Sequence, residues 1–413
     1  MSEQQNRDIP DTEIPPSPHR PRDSQGWDGK LRLDKMALAH EPRDPHAQLV
    51  SDPESDDELP PPEQLPADED LLDDTPYDED EIELVHCKVS DMASLRLDRF
   101  KHIKVGSVPT SSSKDPTHHL TLPQRLCLRQ NRIENIAIPP DAAATLTDID
   151  LYDNLIAHIK NLEPFTHLTS LDLSFNKIKH LKRLAHLTNL KDLYLVQNKI
   201  SKMENLDGLS NLRQIELGAN RLREIEGLET LTSLQELWLG KNKITEIKGL
   251  DTLTNLRILS IQSNRLRSIT GLTHLTSLEE LYISHNLLTT LSGLATTTNL
   301  RILDISANPI EHLSGLEALP HLTEFWASNC KLSDVSEVEC QLGDKEELET
   351  VYLEGNPLQR AQPALYRNKI KLALPRVVQI DASKFWGVFF GSNFILFLLV
   401  ACRCPILYCT MLY

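Results

Sequence analysis

No stretch of this chain reads as a reaction centre. There is no glycine-rich loop of the kind that cradles phosphate, and the 7 cysteines and 15 histidines are nowhere paired at metal-ligand spacing, so neither a metal nor a cofactor is expected. His118, His119, His274, His285 and His321 read as surface or loop positions. The cysteines give no secreted disulfide frame, and the stretch from Met1 to Lys30 holds no apolar run that could act as a signal peptide, which points to a reducing compartment: nucleus and cytoplasm. Basic residues are missing over a long segment. Between Asp44 and Cys87 lie 17 Asp or Glu and no Lys or Arg, so this segment alone accounts for the formal net charge of −17. With no basic field to release counterions, nucleic acid is not an expected partner. Aromatic residues make up only 5% of the chain, so any place where they gather is informative.

What is present is repetition. Leucine recurs at one fixed interval, at Leu146, Leu168, Leu190, Leu212, Leu234, Leu256, Leu278, Leu300 and Leu322. At a constant offset after each stands Asn154, Asn176, Asn198, Asn220, Asn242, Asn264, Asn286, Asn308 or, last, Cys330. The unit from Leu168 to Ile178 has the pattern L-x-x-L-x-L-x-x-N-x-L of the leucine-rich repeat. Its short strand alternates, so Leu171 and Leu173 are expected to point inward while Ser170, Asp172 and Ser174 point out. Ile178, Leu181, Leu184 and Leu187 then follow a three-residue rhythm that suits a turn of 3₁₀ or α helix packed on the strand layer. The asparagine is expected to be buried at the bend, bonded to backbone groups that the turn leaves unpaired. One unit cannot bury its apolar face alone; stacked units share a core.

The register extends both ways. Leu126 to Asn131 fits one residue out of step, Ile82 to Cys87 reads as a degenerate first strand, and Leu348 to Asn356 follows after a longer, 26-residue step. The expected fold is therefore an α/β leucine-rich-repeat solenoid of about twelve units. Residues 1–81 are rich in proline and acid and poor in apolar side chains, a composition expected to stay disordered. The solenoid is assigned to residues 82–355, with an irregular insertion at 105–124, where the distance from Cys87 to Asn131 is twice one repeat. Residues 356–384 are assigned to a C-terminal cap: a helical stretch around Tyr366, Ile370 and Leu374, then a strand-like run from Val377 to Ile380. Residues 385–413 form an apolar tail, with no charge from Phe385 to Ala401. That run is at the short edge for a membrane span, and it abuts a complete cap with no polar linker. It and the 105–124 insertion read first as gene-model artefacts; the tail's second reading is a membrane anchor.

A stack of this kind offers a surface rather than a cleft. The position between the two inner strand leucines faces out on the concave side, and down the repeats it reads Asp150, Asp172, Tyr194, Glu216, Trp238, Ser260, Tyr282, Asp304, Trp326 and Tyr352. Half of these ten are Trp or Tyr, although aromatics are scarce in the chain as a whole. Strand propensity alone would favour some aromatics, but Trp and Tyr interleaved with acids are what a protein-binding hot spot requires. Ten strands about 4.8 Å apart span on the order of 45 Å, the scale of a folded partner rather than a metabolite.

The 22-residue period, the strands Leu193 to Leu195, Leu237 to Asn242, Phe325-Trp326 and Val351 to Pro357, and the ending from Leu372 to Ala382 resemble the nuclear leucine-rich-repeat regulatory subunits (regulatory subunit 7) of type 1 protein phosphatase. The resemblance runs from about Glu81 to Ala382. It implies a non-enzymatic protein whose concave face holds the phosphatase catalytic subunit through Asp172, Tyr194, Glu216, Trp238, Asp304, Glu324, Trp326 and Tyr352. It further implies modulation of the enzyme's activity, maturation or localisation in mitosis, with a further phosphatase inhibitor protein as an additional partner. The alternative is a leucine-rich-repeat scaffold for a different protein.

Overall fold

The computed structural model describes residues 71–72, 75, 79, 81–97 and 124–384. The chain divides after Glu63, and every described residue belongs to the second unit. Most of the acidic segment, the expected insertion from 105 to 123 and the tail 385–413 lie outside the described residues.

Each repeat contributes one three-residue strand. In chain order these are β1 (Glu81–Glu83), β2 (Arg125–Cys127), β3 (Asp148–Asp150), β4 (Ser170–Asp172), β5 (Asp192–Tyr194) and β6 (Gln214–Glu216). They continue as β7 (Glu236–Trp238), β8 (Ile258–Ser260), β9 (Glu280–Tyr282), β10 (Ile302–Asp304), β11 (Glu324–Trp326) and β12 (Thr350–Tyr352). β13 (Gln379–Ile380) and β14 (Ser383–Lys384) follow in the cap. All lie in one sheet in sequence order, parallel from β1 to β13, with only β14 antiparallel. β1 pairs with β2 through Ile82 and Leu126 despite their 44-residue separation, so among the described residues the degenerate strand is the first of the sheet. Leu72, ahead of β1, is also packed into the core.

The middle residue of each strand from β1 to β12 is buried, and so is the residue two positions on, a leucine or isoleucine everywhere except Ala327 after β11, as Leu171 and Leu173 show. A parallel sheet of such short strands is held by what fills the bend after each strand. Asn198 is typical. Its Oδ1 accepts the Ile178 N–H of the preceding repeat at 3.0 Å, and its Nδ2 donates to Leu173 O, Leu195 O and Val196 O at 3.0, 3.2 and 3.3 Å. The amide therefore ties two repeats together and satisfies backbone groups that the bend cannot pair internally. Asn131, Asn154, Asn176, Asn220, Asn242, Asn264, Asn286 and Asn308 do the same.

The return segment differs from expectation. It is not a helix in the 22-residue repeats but a string of single turns, each closed by an i+3 bond such as Leu187 N to Leu184 O (2.9 Å) and Leu190 N to Leu187 O (3.0 Å). An apolar residue at every third position needs a period of three, which separate turns supply without the i to i+4 ladder. Each return from β3 to β11 also passes through the left-handed region. Gly227 has φ +70°, and a Cβ there would stand 2.8 Å from Met203 O. One repeat earlier Asn205 occupies that conformation (φ 58°) and donates Nδ2 to the corresponding oxygen, Leu181 O, at 2.7 Å.

Two places do form helices of useful length. The four extra residues of the 26-residue step allow α1 (Val335–Leu342), capped by Asp334, whose Oδ1 accepts the Ser336 N–H. In the cap, α2 (Pro363–Ala373) buries Tyr366, Ile370 and Ala373 over the last repeat. Asp381 then substitutes for a missing repeat. Inside the stack the first N–H after each strand bonds a carbonyl of the next repeat, as Leu195 N bonds Glu216 O; the corresponding Leu353 N instead bonds Asp381 Oδ1 at 2.9 Å.

Candidate protein-binding face

Strand pairing places the outward third residues in one continuous row, Asp150–Asp172–Tyr194–Glu216–Trp238–Ser260–Tyr282–Asp304–Trp326–Tyr352. The first residues of the strands form a parallel second row containing Glu236, Glu280 and Glu324. Seven of the eight residues singled out from the sequence stand in the first row and Glu324 in the second. The inner spacing of parallel strands puts Asp172 and Tyr352 roughly 38 Å apart along the stack, eight strands of about 4.8 Å.

The amino-terminal half of the face is acidic. Arg129, after β2, pairs with Asp150, reaches Asp172 at 3.9 Å and lies 5.4 Å from the Tyr152 ring centroid. Asp172 accepts the Ser174 N–H at 2.8 Å, yet burial holds its carboxyl above the usual carboxylate range. Glu216 is the extreme case. It is only 6% exposed and has a single side-chain donor, Gln214 Nε2, at 2.8 Å. Burial first, then the charges of Asp172 and Glu236, push its carboxyl up to about 7. Burial and the same ring of acids push the neighbouring Tyr194 phenol up to about 12.

The carboxy-terminal half is aromatic, and its organisation has a period of two repeats. On β7, β9 and β11 a glutamate sits two residues before a ring and accepts from it: Trp238 Nε1 to Glu236 (3.3 Å), Tyr282 OH to Glu280 (2.8 Å) and Trp326 Nε1 to Glu324 (3.0 Å). On the intervening β8 and β10 the same two positions hold Ile258 with Ser260 and Ile302 with Asp304. The small residues let the rings lean together. Trp238 and Tyr282 lie 6.2 Å apart with planes 19° from parallel, Tyr282 and Trp326 6.0 Å apart, Trp326 and Tyr352 5.6 Å apart edge to face. Upright rings on strands two repeats apart would stand roughly 10 Å from each other, twice the strand spacing.

This leaning corrects the expectation that the whole row faces solvent. Ser260 is fully buried, and Trp238, Asp304 and Glu216 are largely buried, while Tyr194, Tyr282, Trp326 and Tyr352 keep partial exposure. Asp304 is held by the Ser306 N–H at 3.0 Å, and burial raises its carboxyl. Tyr282 was not among the eight residues singled out, although it touches both tryptophans; its signal is the recurrence of Glu-x-Trp/Tyr in every second repeat, at 236, 280 and 324. Gln379 of the cap was also missed, and its Nε2 donates to the Tyr352 hydroxyl at 2.7 Å. Among the described residues no group of acids, histidines and cysteines could hold a metal, and no helix is long and apolar enough to cross a membrane.

Comparison with known proteins agrees with this geometry. Family models described as leucine rich repeat and as leucine rich repeats (2 copies) match residues 166–222, and 232–274 and 276–318. Among solved structures, an internalin from Listeria monocytogenes superposes with a TM-score of 0.55 at 20% identity, covering 74% of this chain and 87% of its own. A leucine-rich-repeat protein of Leptospira interrogans superposes with a TM-score of 0.50 at 24% identity, covering 63% and 72%. Both likenesses concern the fold alone. Among curated proteins, the chain is 48% identical over 124 residues to the protein phosphatase 1 regulatory subunit SDS22 of Schizosaccharomyces pombe. It is 44% identical over 112 residues to the protein of the same name from Saccharomyces cerevisiae. These stretches are 30% and 26% of this chain, and the match spans less than a third of either relative's length, 29% and 26%. The fold is a leucine-rich-repeat solenoid, and these relatives bear out the resemblance read from the sequence.

Proposed function

We propose that this leucine-rich-repeat protein is a non-catalytic regulatory subunit that binds the catalytic subunit of type 1 protein phosphatase across the face built by β4 to β12. The observation that carries the reading is the continuous row from Asp172 to Tyr352, acidic in one half and aromatic in the other. Partly exposed rings fixed by hydrogen bonds lose little conformational freedom when a partner covers them, and the carboxylates around them set orientation. The names of the yeast relatives supply the partner. In this reading the protein acts in nucleus and cytoplasm, and it modulates the activity, maturation or localisation of the phosphatase in mitosis. A further inhibitor protein joins the same complex.

The test is titration calorimetry of the intact chain with the purified catalytic subunit. Tight binding is expected, weakened by about 2 kcal/mol or more on Trp326→Ala. Absence of binding by a folded chain leaves a leucine-rich-repeat scaffold for a different protein. Binding indifferent to Trp326 and Tyr352 substitutions keeps the partner and moves the site.

A further inference from the structure

A second surface of the stack lies on the edge just past the asparagine ladder and plays no part in the strand face. From Asn176 to Asn286 the residue following each ladder asparagine donates its backbone N–H to the preceding repeat, for example Lys199 N to Ile178 O and Arg221 N to Ile200 O, both at 2.8 Å. One bond per repeat fixes these residues in a row at the strand spacing. Over five consecutive repeats the row reads Lys177, Lys199, Arg221, Lys243 and Arg265, all wholly or partly exposed. Two residues on, Lys179, Arg223 and Arg267 add a second cation in three of those repeats.

Like charges about 4.8 Å apart repel one another. No acid pairs with them: among the described residues none of these eight cations forms an ion pair or a side-chain hydrogen bond. Cations elsewhere do find acids, as Lys248 with Glu224 at 2.8 Å and Lys331 with Glu311 at 3.0 Å. Lys331 occupies the same row position farther along, and there the acid comes from the repeat beside it; in the five-repeat block that supply is absent. The column between the row and the acidic strand face is Ser174, Val196, Gly218, Gly240 and Gln262, with no carboxylate. The next position in the row after Arg265 is Leu287, a large apolar side chain left 44% exposed.

We propose that this edge docks a helical acidic segment of another protein, its carboxylates on the Lys177–Arg265 row and an apolar residue at its end against Leu287. The spacing favours a helix. Acids at i, i+3 and i+4 of a helix recur about every 5 Å, matching one per repeat, and five repeats correspond to roughly 13 helical residues. An extended strand would present same-face acids about 6.6 Å apart and lose register. A nucleic-acid strand lacks the stacking platform it needs, because the flanking column of Phe175, Gln197, Ala219, Lys241 and Ser263 has one aromatic.

The test uses the intact chain and fluorescence anisotropy. The probe is a labelled helical peptide of about 15 residues with Glu at every third or fourth position and Leu near one end. A Glu→Gln version and a single-stranded oligonucleotide of equal charge serve as comparisons. Expected are salt-sensitive binding of the acidic peptide and a loss of about tenfold or more with Lys199→Glu, Arg221→Glu and Lys243→Glu combined, their fold checked by circular dichroism. Leu287→Ser weakens it further. If the triple variant does not fold, Lys177→Gln with Arg265→Gln provides the same comparison. Absence of peptide binding, unchanged binding by a folded variant, or tighter binding of the oligonucleotide each overturns the proposal. Phosphatase binding at the strand face is read separately and is expected to be unaffected by these substitutions.

Discussion

The indole of Trp238 and the phenol ring of Tyr282 stack 6.2 Å apart across the strand that separates them, and Ser260 beneath them has no exposed surface. The contact depends on Ser260 being small. It gives the two tryptophans of the face different duties: Trp238, 8% exposed, is nearly core, whereas Trp326 farther along remains partly open to solvent.

Substitution of the two tryptophans should therefore divide stability from binding. Trp238→Ala uncovers Ser260 and removes the stack, and it should cost about 3 kcal/mol or more in urea-induced unfolding. Trp326→Ala should cost less in unfolding and more, about 2 kcal/mol or above, in affinity for the phosphatase catalytic subunit. Equal effects of the two on both measurements would contradict this division.

Glu216 makes stability fall with rising pH. Its folded carboxyl titrates at about 7, above the 4.5 of the free side chain, because burial and nearby acids penalise the charge. A raised acid contributes stability that is fully present below about 4.5 and lost as pH climbs through about 7. Asp172, Asp304 and Glu280 are shifted in the same direction, each chiefly by burial. Glu216→Gln keeps an acceptor for Gln214 and carries no charge. It should be more stable than the parent at pH 8, by about 3 kcal/mol at most, and equal to it near pH 4.5. Denaturation at pH 5, 7 and 8, in steps of about 1.4 kcal/mol per unit, reads the difference.

Repeat, strand and asparagine positions were legible because each rests on a local rule that recurs at fixed spacing. The evenly spaced leucines and the buried Asn198 follow from one unit's need to share its core and pair its bend. The return segment was not, since a three-residue rhythm of leucines suits a 3₁₀ helix and a chain of separate turns equally well. On the face, the row itself was legible from alternation. The burial of Glu216 and Asp304 was not, because alternation tells which side of the sheet a residue faces and not how deeply its neighbours cover it. Tyr282, in the row but not among the eight contact residues, could have joined them from the Glu-x-Trp/Tyr recurrence at twice the repeat.

The end of the stack should fail at Asp381. Its Oδ1 accepts the N–H groups of Leu353 (2.9 Å) and Glu354 (3.1 Å) and lies 3.3 Å from the Tyr366 hydroxyl, and Oδ2 stands 4.0 Å from Arg367. Asp381→Ala leaves these donors unpaired at the edge where, among the described residues, β13 and β14 take the place of a further repeat, an expected loss of about 2–4 kcal/mol. Hydrogen exchange should locate the opening in β12, β13 and α2, with β4 to β8 protected as before, since repeats couple mainly to their neighbours.

Cys330 offers a gain of stability at the position where the asparagine ladder is interrupted. Its thiol lies 3.4 Å from Ile305 O and 3.8 Å from Ser328 O, the carbonyls that an asparagine amide would take there, and burial pushes it up to about 11, so it stays protonated and donates a single weak bond. One repeat earlier Asn308 bonds the equivalent carbonyls and also accepts the Leu288 N–H at 3.0 Å. By the same register an amide at 330 would accept the Ile310 N–H. Cys330→Asn should therefore raise the unfolding free energy by about 1 kcal/mol. The reverse change within the ladder is far more costly. Asn242→Ala strands the Leu222 N–H and removes one donor each from the carbonyls of Leu217 and Leu239, while Gly240 O keeps its bond from Ala219 N, a loss of about 3 kcal/mol or more. Because that amide joins two repeats, its removal should also broaden the urea transition, as coupling between the halves of the stack weakens. A sharp, unshifted transition in Asn242→Ala would show that the leucine core alone sets the cooperativity.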